Sequence, residues 1–410
     1  MQPDSTSPRS YRGHHPSALV TDPESPVVKA WSDPTLVAAQ LPFLLKPTEP
    51  FTGITTGGAL AGGLYELAPT GHPTAEIRAR AEALLLLLDA PQRAEMLRPI
   101  DSPDWMNWCN AVEMPHGFSL RGASHTQRHA VLELVRVSMS ARGYDKVWGA
   151  MLLNELLGEI VGNTAILNAW NYAVTIFGPP SERGPWGWQL QGHHVAVNCF
   201  VLGDQIVATP QFIGAEPAIV DDGPLRGLSI LQEEERAGFA LFHALDAGQR
   251  GTAVTFPSMI QQDLSPERYG LADQRTQSGA FQDNAVIPYE GLAGADMTAG
   301  QRDKLVEVVE LYVSRLPHGH DRVRMTEVMG HIAETHFSWI GASGPDDPFY
   351  YKVHSPVILI EFDHHSGVAL DNAHPEKFHV HTQVRTPNGN DYGKDLLRQH
   401  YEHFDHGRRP

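Results

Sequence analysis

The order of polar and apolar positions predicts helices that begin at four similar segments, each ending in Gln-Arg. In every segment a Ser, Thr or Asp stands three residues before the Gln. This is the arrangement of a helix capping box, in which the first side chain accepts from a backbone amide and the Gln bonds back. Apolar residues at helical spacing follow two of the boxes, over Ala130–Met139 and Leu305–Leu316. The four boxes are Asp89–Gln92, Ser124–Gln127, Asp246–Gln249 and Thr298–Gln301.

After the second and the fourth box the pattern changes to that of short strands. Aligning Trp188 with Tyr351 places Asn198 on Glu361, at an offset of 163 residues, while the second and fourth boxes are 174 residues apart. The two offsets differ by only a small insertion, so the chain contains a similar succession of helix and strands twice. The predicted strands lie in Trp186–Leu190, His193–Leu202, Phe349–Val353 and Val357–Phe362.

These patterns predict an arm followed by one folded unit. Residues 1–49 are rich in Pro, Ser and Asp, and we expect a partly disordered N-terminal arm there. Residues 50–406 are predicted to form a single α+β unit, with helices packed against mostly antiparallel sheets. The repeated pattern predicts two similar helix-then-sheet halves, 50–220 and 225–406. Chance similarity between two β-hairpins is the alternative.

Composition narrows the class of protein. The chain has 31 Lys and Arg against 48 Asp and Glu, a formal charge of −17, which argues against nucleic acid or an anionic membrane as a partner. Two cysteines exclude a disulfide scaffold and a thiolate zinc cage. No apolar run reaches the roughly 18 residues of a membrane span, and no secretory signal is visible. We therefore expect a cytoplasmic protein, and its unusual feature is 22 histidines.

The clearest chemical signal is the pair His379 and His381 in a predicted strand. Residues two apart on a strand point to the same face, so the two imidazoles lie side by side and suit one transition-metal ion. Chance supplies some such pairs in a chain this rich in histidine. The chain has no motif of a zincin, an α/β-hydrolase, a dinucleotide-binding fold or a thiol oxidoreductase.

Two other segments supply further candidate ligands. Glu361 follows an apolar run, where an unpaired carboxylate costs several kcal/mol. Gly192-His193-His194 opens a second apolar strand, and we prefer His194 to His193 because it shares a face with Asn198. Together with the pair His379 and His381, these residues form a predicted ligand shell around one divalent Zn, Mn or Fe ion. The metal ligands are then His194, Glu361, His379 and His381.

Catalytic roles are predicted for three neighbours of this shell. Asp363 or the non-ligating His193 would act as a base, and Arg385 would orient an anionic group of a small organic substrate. Hydrolysis is slightly favoured; an Fe(II)-dependent oxygenase with the same shell and a non-enzymatic binding or assembly protein are the alternatives. In the last case Glu361 would pair with Arg385 and the histidines would cap backbone groups. His364-His365 is predicted to lie in a solvated loop.

The same segments resemble a known family. Gly184-Pro-Trp-Gly-Trp188 with Gly-His-His194, the His379-x-His381 pair and Asp391-Tyr-Gly393 are similar to domain-of-unknown-function family 3500, over about residues 50–404. The resemblance implies one family-wide unit and no particular reaction. After His381 this chain reads Thr-Gln-Val-Arg, where the family pattern has a Ser-x-Trp-Arg-Asp-like continuation. The loop from His364 to Lys377 is also longer than in the family pattern. If this loop borders the site, substrate choice would be specific to a subgroup of the family.

Overall fold

A computed structural model describes residues 49–270, 273–367, 369–370 and 374–403. The predicted arm at 1–49 therefore lies, except for its last residue, outside the described residues. Within the described part, helices and one mostly antiparallel sheet form an α+β fold, which confirms the predicted fold class. The helices are α1 (Ala75–Leu86), α2 (Ala90–Met96), α3 (His125–Val137), α4 (Ala141–Val161), α5 (Gln232–Ala244), α6 (Ala247–Ala253), α7 (Ala299–Val313), α8 (His320–Gly330) and α9 (Lys394–His403).

All four predicted capping boxes are present, at the starts of α2, α3, α6 and α7. They also contact each other in pairs. Gln127 Nε2 donates to Gln92 Oε1 at 2.9 Å, and in the second half of the chain Gln249 Nε2 donates to Gln301 Oε1 at 3.0 Å. The same polar contact therefore joins two helix starts in each half.

The strands form one thirteen-stranded sheet within the described residues. Its order is β1-β3-β4-β5-β7-β13-β12-β11-β10-β8, with β2 beside β3, β6 beside β5 and β9 beside β10. The two ends of the sheet have the same arrangement. β1 at one edge and β8 at the other each run parallel to the neighbouring strand, and β7 pairs with β13 at the centre. The strands are β1 (Leu97–Arg98), β2 (Phe118–Ser119), β3 (Tyr172–Phe177), β4 (Trp186–Gly192), β5 (Val195–Leu202), β6 (Gln205–Val207), β7 (Gln211–Ala215), β8 (Val254–Phe256), β9 (Leu292–Ala293), β10 (His336–Gly341), β11 (Phe349–His354), β12 (Leu359–His364) and β13 (Val380–Arg385).

The sheet has an apolar face under the helices and a polar face under long loops. Val380 and Val384 of β13 pack in the main core with helix residues such as Leu305. The alternate positions of the same strands carry polar groups that are also buried, which requires hydrogen-bond or charged partners for them. Buried polar residues of this second face include Gln189, Gln191, Asn198, Lys352, Glu361, Asp363, His381, Gln383 and Arg385.

Loops that follow β1 and β8 supply partners for this polar face. From the first loop, the carbonyl of Trp105 accepts a hydrogen bond from Gln189 Nε2 at 3.0 Å. From the second, Arg275 binds Asp363 and Ser278 binds Glu361. The polar face is thus an enclosed layer between sheet and loops. Among the described residues, no helix combines the length and apolar character needed to cross a bilayer.

Candidate metal centre

Three histidines converge at one end of the polar face. His379 directly precedes β13 and His381 lies within it, while His194 lies in the two-residue turn between β4 and β5. One ring nitrogen of each lies within 4.8 Å of the others, and the Nε2 atoms of His379 and His381 are 3.0 Å apart. Two ligands of one tetrahedral ion would lie about 3.3 Å apart at usual Zn–N distances. The spacing of His379 and His381 is therefore close to that of two ligands of one ion, and without an ion it lets one ring donate a hydrogen bond to the other.

The register of the central strands brings His194 to the other two rings. His381 pairs with Gly214 of β7, whose N–H donates to the carbonyl of His194 at 2.8 Å. Both rings pack closely against Gly214, because a Cβ there would lie 2.9 Å from His381 Cδ2 and 3.1 Å from His194 Cδ2. The backbone of Gly214 thus forms the floor of the site, and only glycine lets the two rings come this near.

The local backbone explains which histidine of the Gly-His-His segment enters the site. His193 and His194 are both turn residues, so the alternation of a strand does not decide between them. His194 has a φ of +66°, a region that non-glycine residues rarely adopt, and its N–H is held by Asn110 Oδ1 at 2.7 Å. His193 lies behind it, with the ring centroids 3.8 Å apart and Nδ1 2.8 Å from Asn154 Oδ1.

All three rings are buried and electrically neutral at pH 7. Burial, together with the neighbouring histidines, lowers the pKa of His194, His379 and His381 well below the ordinary value of 6.5. Within the described part of the chain neither ring nitrogen of His194 has a hydrogen-bond partner. A buried polar atom without a partner costs about 1–3 kcal/mol. Three neutral imidazoles whose ring nitrogens lie within 4.8 Å of one another are a donor set that fits a divalent transition metal.

A fourth histidine, His365, lies against this group. Its ring centroid is 3.8 Å from that of His381, and its backbone N–H donates to the carbonyl of His379 at 2.8 Å. The prediction of a solvated loop for His364-His365 is wrong: β12 extends to His364, and both side chains are buried. The backbone hydrogen bond from His365 to His379 keeps His364 and His365 against the sheet, away from solvent.

Asp363 holds His365 and is itself held by Arg275. Asp363 Oδ2 lies 2.6 Å from His365 Nδ1, and Arg275 donates from Nε and Nη2 to the same carboxylate at 2.7 and 3.0 Å. Burial raises the pKa of Asp363, but Arg275 and His365 outweigh it and keep the pKa below its ordinary value. The predicted base Asp363 is therefore an ionised carboxylate that orients the His365 ring.

Glu361, predicted as the fourth ligand, lies on the same face as His381 but is not in the group of converging atoms. Its carboxylate accepts hydrogen bonds from the N–H groups of Gln277 and Ser278, both at 2.8 Å. The hydroxyls of Ser278 and Tyr350 donate to it as well. Four donors from loop and strand thus surround this carboxylate and tie the loop after β8 to the sheet.

Arg385, predicted to orient a substrate, lies in a buried ion-pair cluster at the other end of β13. Its Nε donates to Asp391 Oδ2 at 2.7 Å and its Nη2 to Asp283 Oδ1 at 2.6 Å. Its Nη1 donates to the carbonyl of Ser278 at 2.8 Å. Burial lowers the pKa of Arg385, but the two carboxylates outweigh it and raise the pKa above its ordinary value. The contacts of Arg385 are those of a structural clamp.

Glu216 is a buried acid near the site that sequence reasoning missed. Its Oε2 lies 3.9 Å from His379 Nδ1, and its Oε1 accepts from the N–H of Leu370 at 3.0 Å. Burial raises the pKa of Glu216 to about 7. Carboxylates in this position commonly orient a metal-bound histidine. The signal was available, since Glu216 directly follows an apolar strand just as Glu361 follows an apolar run.

Comparison with known proteins identifies a family and no activity. A family model described as "Protein of unknown function (DUF3500)" matches residues 70–394, which is most of the chain. This match confirms the resemblance drawn from the Gly-His-His and His-x-His segments. Searches of the curated proteins and of the solved structures find no similar protein.

Proposed function

We propose that this chain, which belongs to the DUF3500 family of proteins of unknown function, is a metal-dependent enzyme that acts on a small organic molecule. The observation that carries the proposal is His194, whose two ring nitrogens are buried without a hydrogen-bond partner in the described chain. The same ring lies beside two other neutral histidines above Gly214. A shared cation is a simple partner for three buried imidazoles whose ring nitrogens lie within 4.8 Å of one another.

His194, His379 and His381 would be the ligands, and three histidines leave coordination positions open for substrate. Nitrogen ligation without sulfur suits Zn(II), Mn(II) or Fe(II), and such an ion supplies Lewis-acid chemistry when bound. We favour hydrolysis over oxygen chemistry. Among the described residues no carboxylate joins the three histidines, whereas Fe(II) oxygenases typically use two histidines and one carboxylate.

His365 is the residue that we assign to proton transfer. Its Nδ1 lies 2.6 Å from Asp363 Oδ2, a contact that favours the tautomer protonated at Nδ1, with Nε2 as the basic atom. Arg275 fixes the Asp363 carboxylate through two hydrogen bonds, so the imidazole is held in one orientation. A histidine oriented by a carboxylate in this way is a common general base in hydrolases.

A metal titration tests the proposal without knowledge of the substrate. Protein treated with a chelator and then titrated with Zn(II), Mn(II) or anaerobic Fe(II) should bind one equivalent tightly. At a free metal concentration 100-fold above Kd, the free energy of unfolding should rise by about 2.7 kcal/mol, visible as a higher Tm. A screen of small esters, amides and phosphoesters, with oxygen uptake monitored in parallel, then separates hydrolysis from oxygenation.

Controls are needed because exposed histidines bind metal weakly. His403 lies on α9 and is exposed, and its Nδ1 is 2.7 Å from the carbonyl of Gln399. The His403→Ala variant should keep the tight equivalent, whereas His194→Ala should lose it. If the wild-type protein binds well under one equivalent and its Tm does not move with any of the three metals, the metal centre is refuted.

Gly214→Ala probes the shape of the site without removing a ligand. The new methyl would press on the rings of His381 and His194 and move them apart, since a Cβ would approach both within about 3 Å. We expect metal affinity to fall at least tenfold, about 1.4 kcal/mol, and stability to fall by about 1–3 kcal/mol. Isothermal titration and urea unfolding measure the two effects.

Gly62→Ala is the matched control, because a Cβ there would meet no atom within 4 Å. It should leave metal affinity unchanged. Equal affinity of Gly214→Ala and the wild-type protein would show that the ion does not lie between His194 and His381.

A further inference from the structure

Asp273, in the loop that follows β8, has a carboxylate that no other group uses. Within the described part of the chain this carboxylate makes no hydrogen bond and no ion pair. The side chain is partly accessible, and its oxygens are not among the fully enclosed polar atoms. Protein atoms nevertheless surround it, because burial is the main cause that raises the pKa of Asp273 to about 7. An unused acceptor therefore lies at the bottom of a cleft.

The position of Asp273 is the place where the two loops over the polar face meet. On its own loop, its carboxylate packs against Gly279, where an added Cβ would clash with Oδ2. Cys109 is a neighbour from the loop after β1: burial raises the pKa of the Cys109 thiol to about 12, and Asp273 adds to the rise. Cys109 adjoins Asn110, whose Oδ1 binds the N–H of His194 at 2.7 Å. The free carboxylate therefore lies on the side of the sheet that carries the three-histidine centre.

The other charged groups that face Asp273 already have partners. Glu361 accepts hydrogen bonds from loop N–H groups, and Asp363 binds Arg275. Arg385, the cation that acts on Asp273 from β13, donates to two other carboxylates. It lowers the pKa of Asp273, but burial and the two acids of β12 outweigh it. The ionised form of Asp273 thus lacks a counter-charge of its own.

We propose that Asp273 binds a positively charged amino group of the substrate. This inference rests on the proposed function, because it assigns the substrate class of the same enzyme. A hard metal ion fits less well, since it needs about six oxygen ligands and the neighbouring carboxylates are occupied. An alkylammonium ion needs one ion pair and apolar surface for its carbon chain. Trp108 and Ala280, which adjoin Cys109 and Gly279 in the chain, supply such a surface within one apolar cluster.

Binding of a simple alkylammonium ion tests the inference without knowledge of the substrate. Metal-free protein is titrated at pH 8 and constant ionic strength with ethylammonium chloride, ethanol, potassium chloride or magnesium chloride. Ethylammonium should give saturable heat and a saturable rise in Tm, and the other three should give neither. Equal stabilisation by potassium or magnesium would overturn the assignment to an amino group. Absence of saturable ethylammonium binding would refute the site.

The His194→Ala variant separates this inference from the proposed metal centre. It should lose the tight metal equivalent and still bind ethylammonium with the affinity of the wild-type protein. If the wild-type protein binds metal but not ethylammonium, the amino-group site is wrong and the metal centre stands. If it binds ethylammonium but no metal, the metal centre is wrong and the cation site stands.

Asp273→Asn removes the charge and keeps the shape of the side chain. Ethylammonium affinity should fall by about tenfold or more. The Tm at pH 8 should not fall, because the carboxylate has no partner to lose and its burial opposes ionisation. Asp263→Asn is the matched control, since Asp263 is an exposed acid of the same loop. It should leave affinity within a factor of about two, and wild-type affinity in Asp273→Asn would refute the site.

The pH dependence of binding identifies the group. Ethylammonium keeps its charge between pH 5.5 and 8, whereas Asp273 is ionised only above its raised pKa of about 7. Of the facing groups, Asp363 has a lowered pKa, and Cys109 and Arg385 have raised ones, so these three keep their charge over this range. Affinity should level off near pH 8 and fall by roughly tenfold per pH unit below about pH 6. Constant affinity from pH 5.5 to 8 would refute Asp273 as the binding group.

Discussion

Replacement of Arg385 by Met is expected to lower the free energy of unfolding by about 3–5 kcal/mol. The substitution leaves the carboxylates of Asp283 and Asp391 buried without the cation that binds both. The pKa of Asp283 is already raised by burial, although Arg385 opposes the rise. The carbonyl of Ser278 would lose its donor too. Urea unfolding at pH 7, followed by circular dichroism, measures the loss.

Arg398→Met is the control, since Arg398 pairs with Asp395 and Glu402 on the exposed side of α9 and 56% of its side chain is accessible. Exposed ion pairs contribute about 0–1 kcal/mol to the free energy of unfolding. A second check is rescue: Asp283→Asn in the Arg385→Met background removes one unpaired charge and should restore part of the stability. An Arg385→Met protein as stable as Arg398→Met would refute the role of Arg385 as a structural clamp.

Local signals in the sequence were enough to predict the fold class and the helix starts. A capping box is formed by residues three apart, so Ser124 and Gln127 predict the start of α3 without reference to the rest of the chain. Alternation along a strand is equally local, and it placed His379 and His381 on one face. Joining β7 to β13 requires contacts between residues about 170 positions apart, which no local pattern predicts.

The partners of the predicted site residues could not be derived for the same reason. Glu361 receives donors from Ser278, and Arg385 binds Asp283; both partners lie in a loop that follows β8. This loop has little apolar periodicity, so the sequence does not show that it lies across the polar face. The sequence predicts a solvated loop for His365, whereas its backbone N–H bonds to the carbonyl of His379.

The two halves contribute differently to the candidate site. The first half supplies His194 and the floor at Gly214, and the second half supplies His379, His381 and His365. These residues meet only because β7 and β13 pair at the centre of the sheet. One half of the chain alone lacks part of this set. The site therefore requires the whole folded unit.

His365→Gln should lower hydrolytic turnover by about 10²–10⁴-fold on any substrate that the metal-loaded protein hydrolyses. Glutamine keeps the polarity and much of the volume of histidine but cannot accept a proton at neutral pH. Metal affinity should remain within about tenfold, because His365 is not one of the three converging ligands and acts on them at most from outside. Loss of turnover with retained metal thus separates proton transfer from metal binding.

The paired variant Asp363→Asn distinguishes orientation of His365 from a direct role of the carboxylate. This variant replaces the ionised carboxylate beside His365 Nδ1 with a neutral amide, which orients the ring less firmly. Turnover should therefore fall while the pH profile keeps its shape. Arg275 would then lose its ionic partner, and stability must be measured alongside. If His365→Gln retains full turnover with metal bound, the histidine is a packing residue and proton transfer must be assigned to another group.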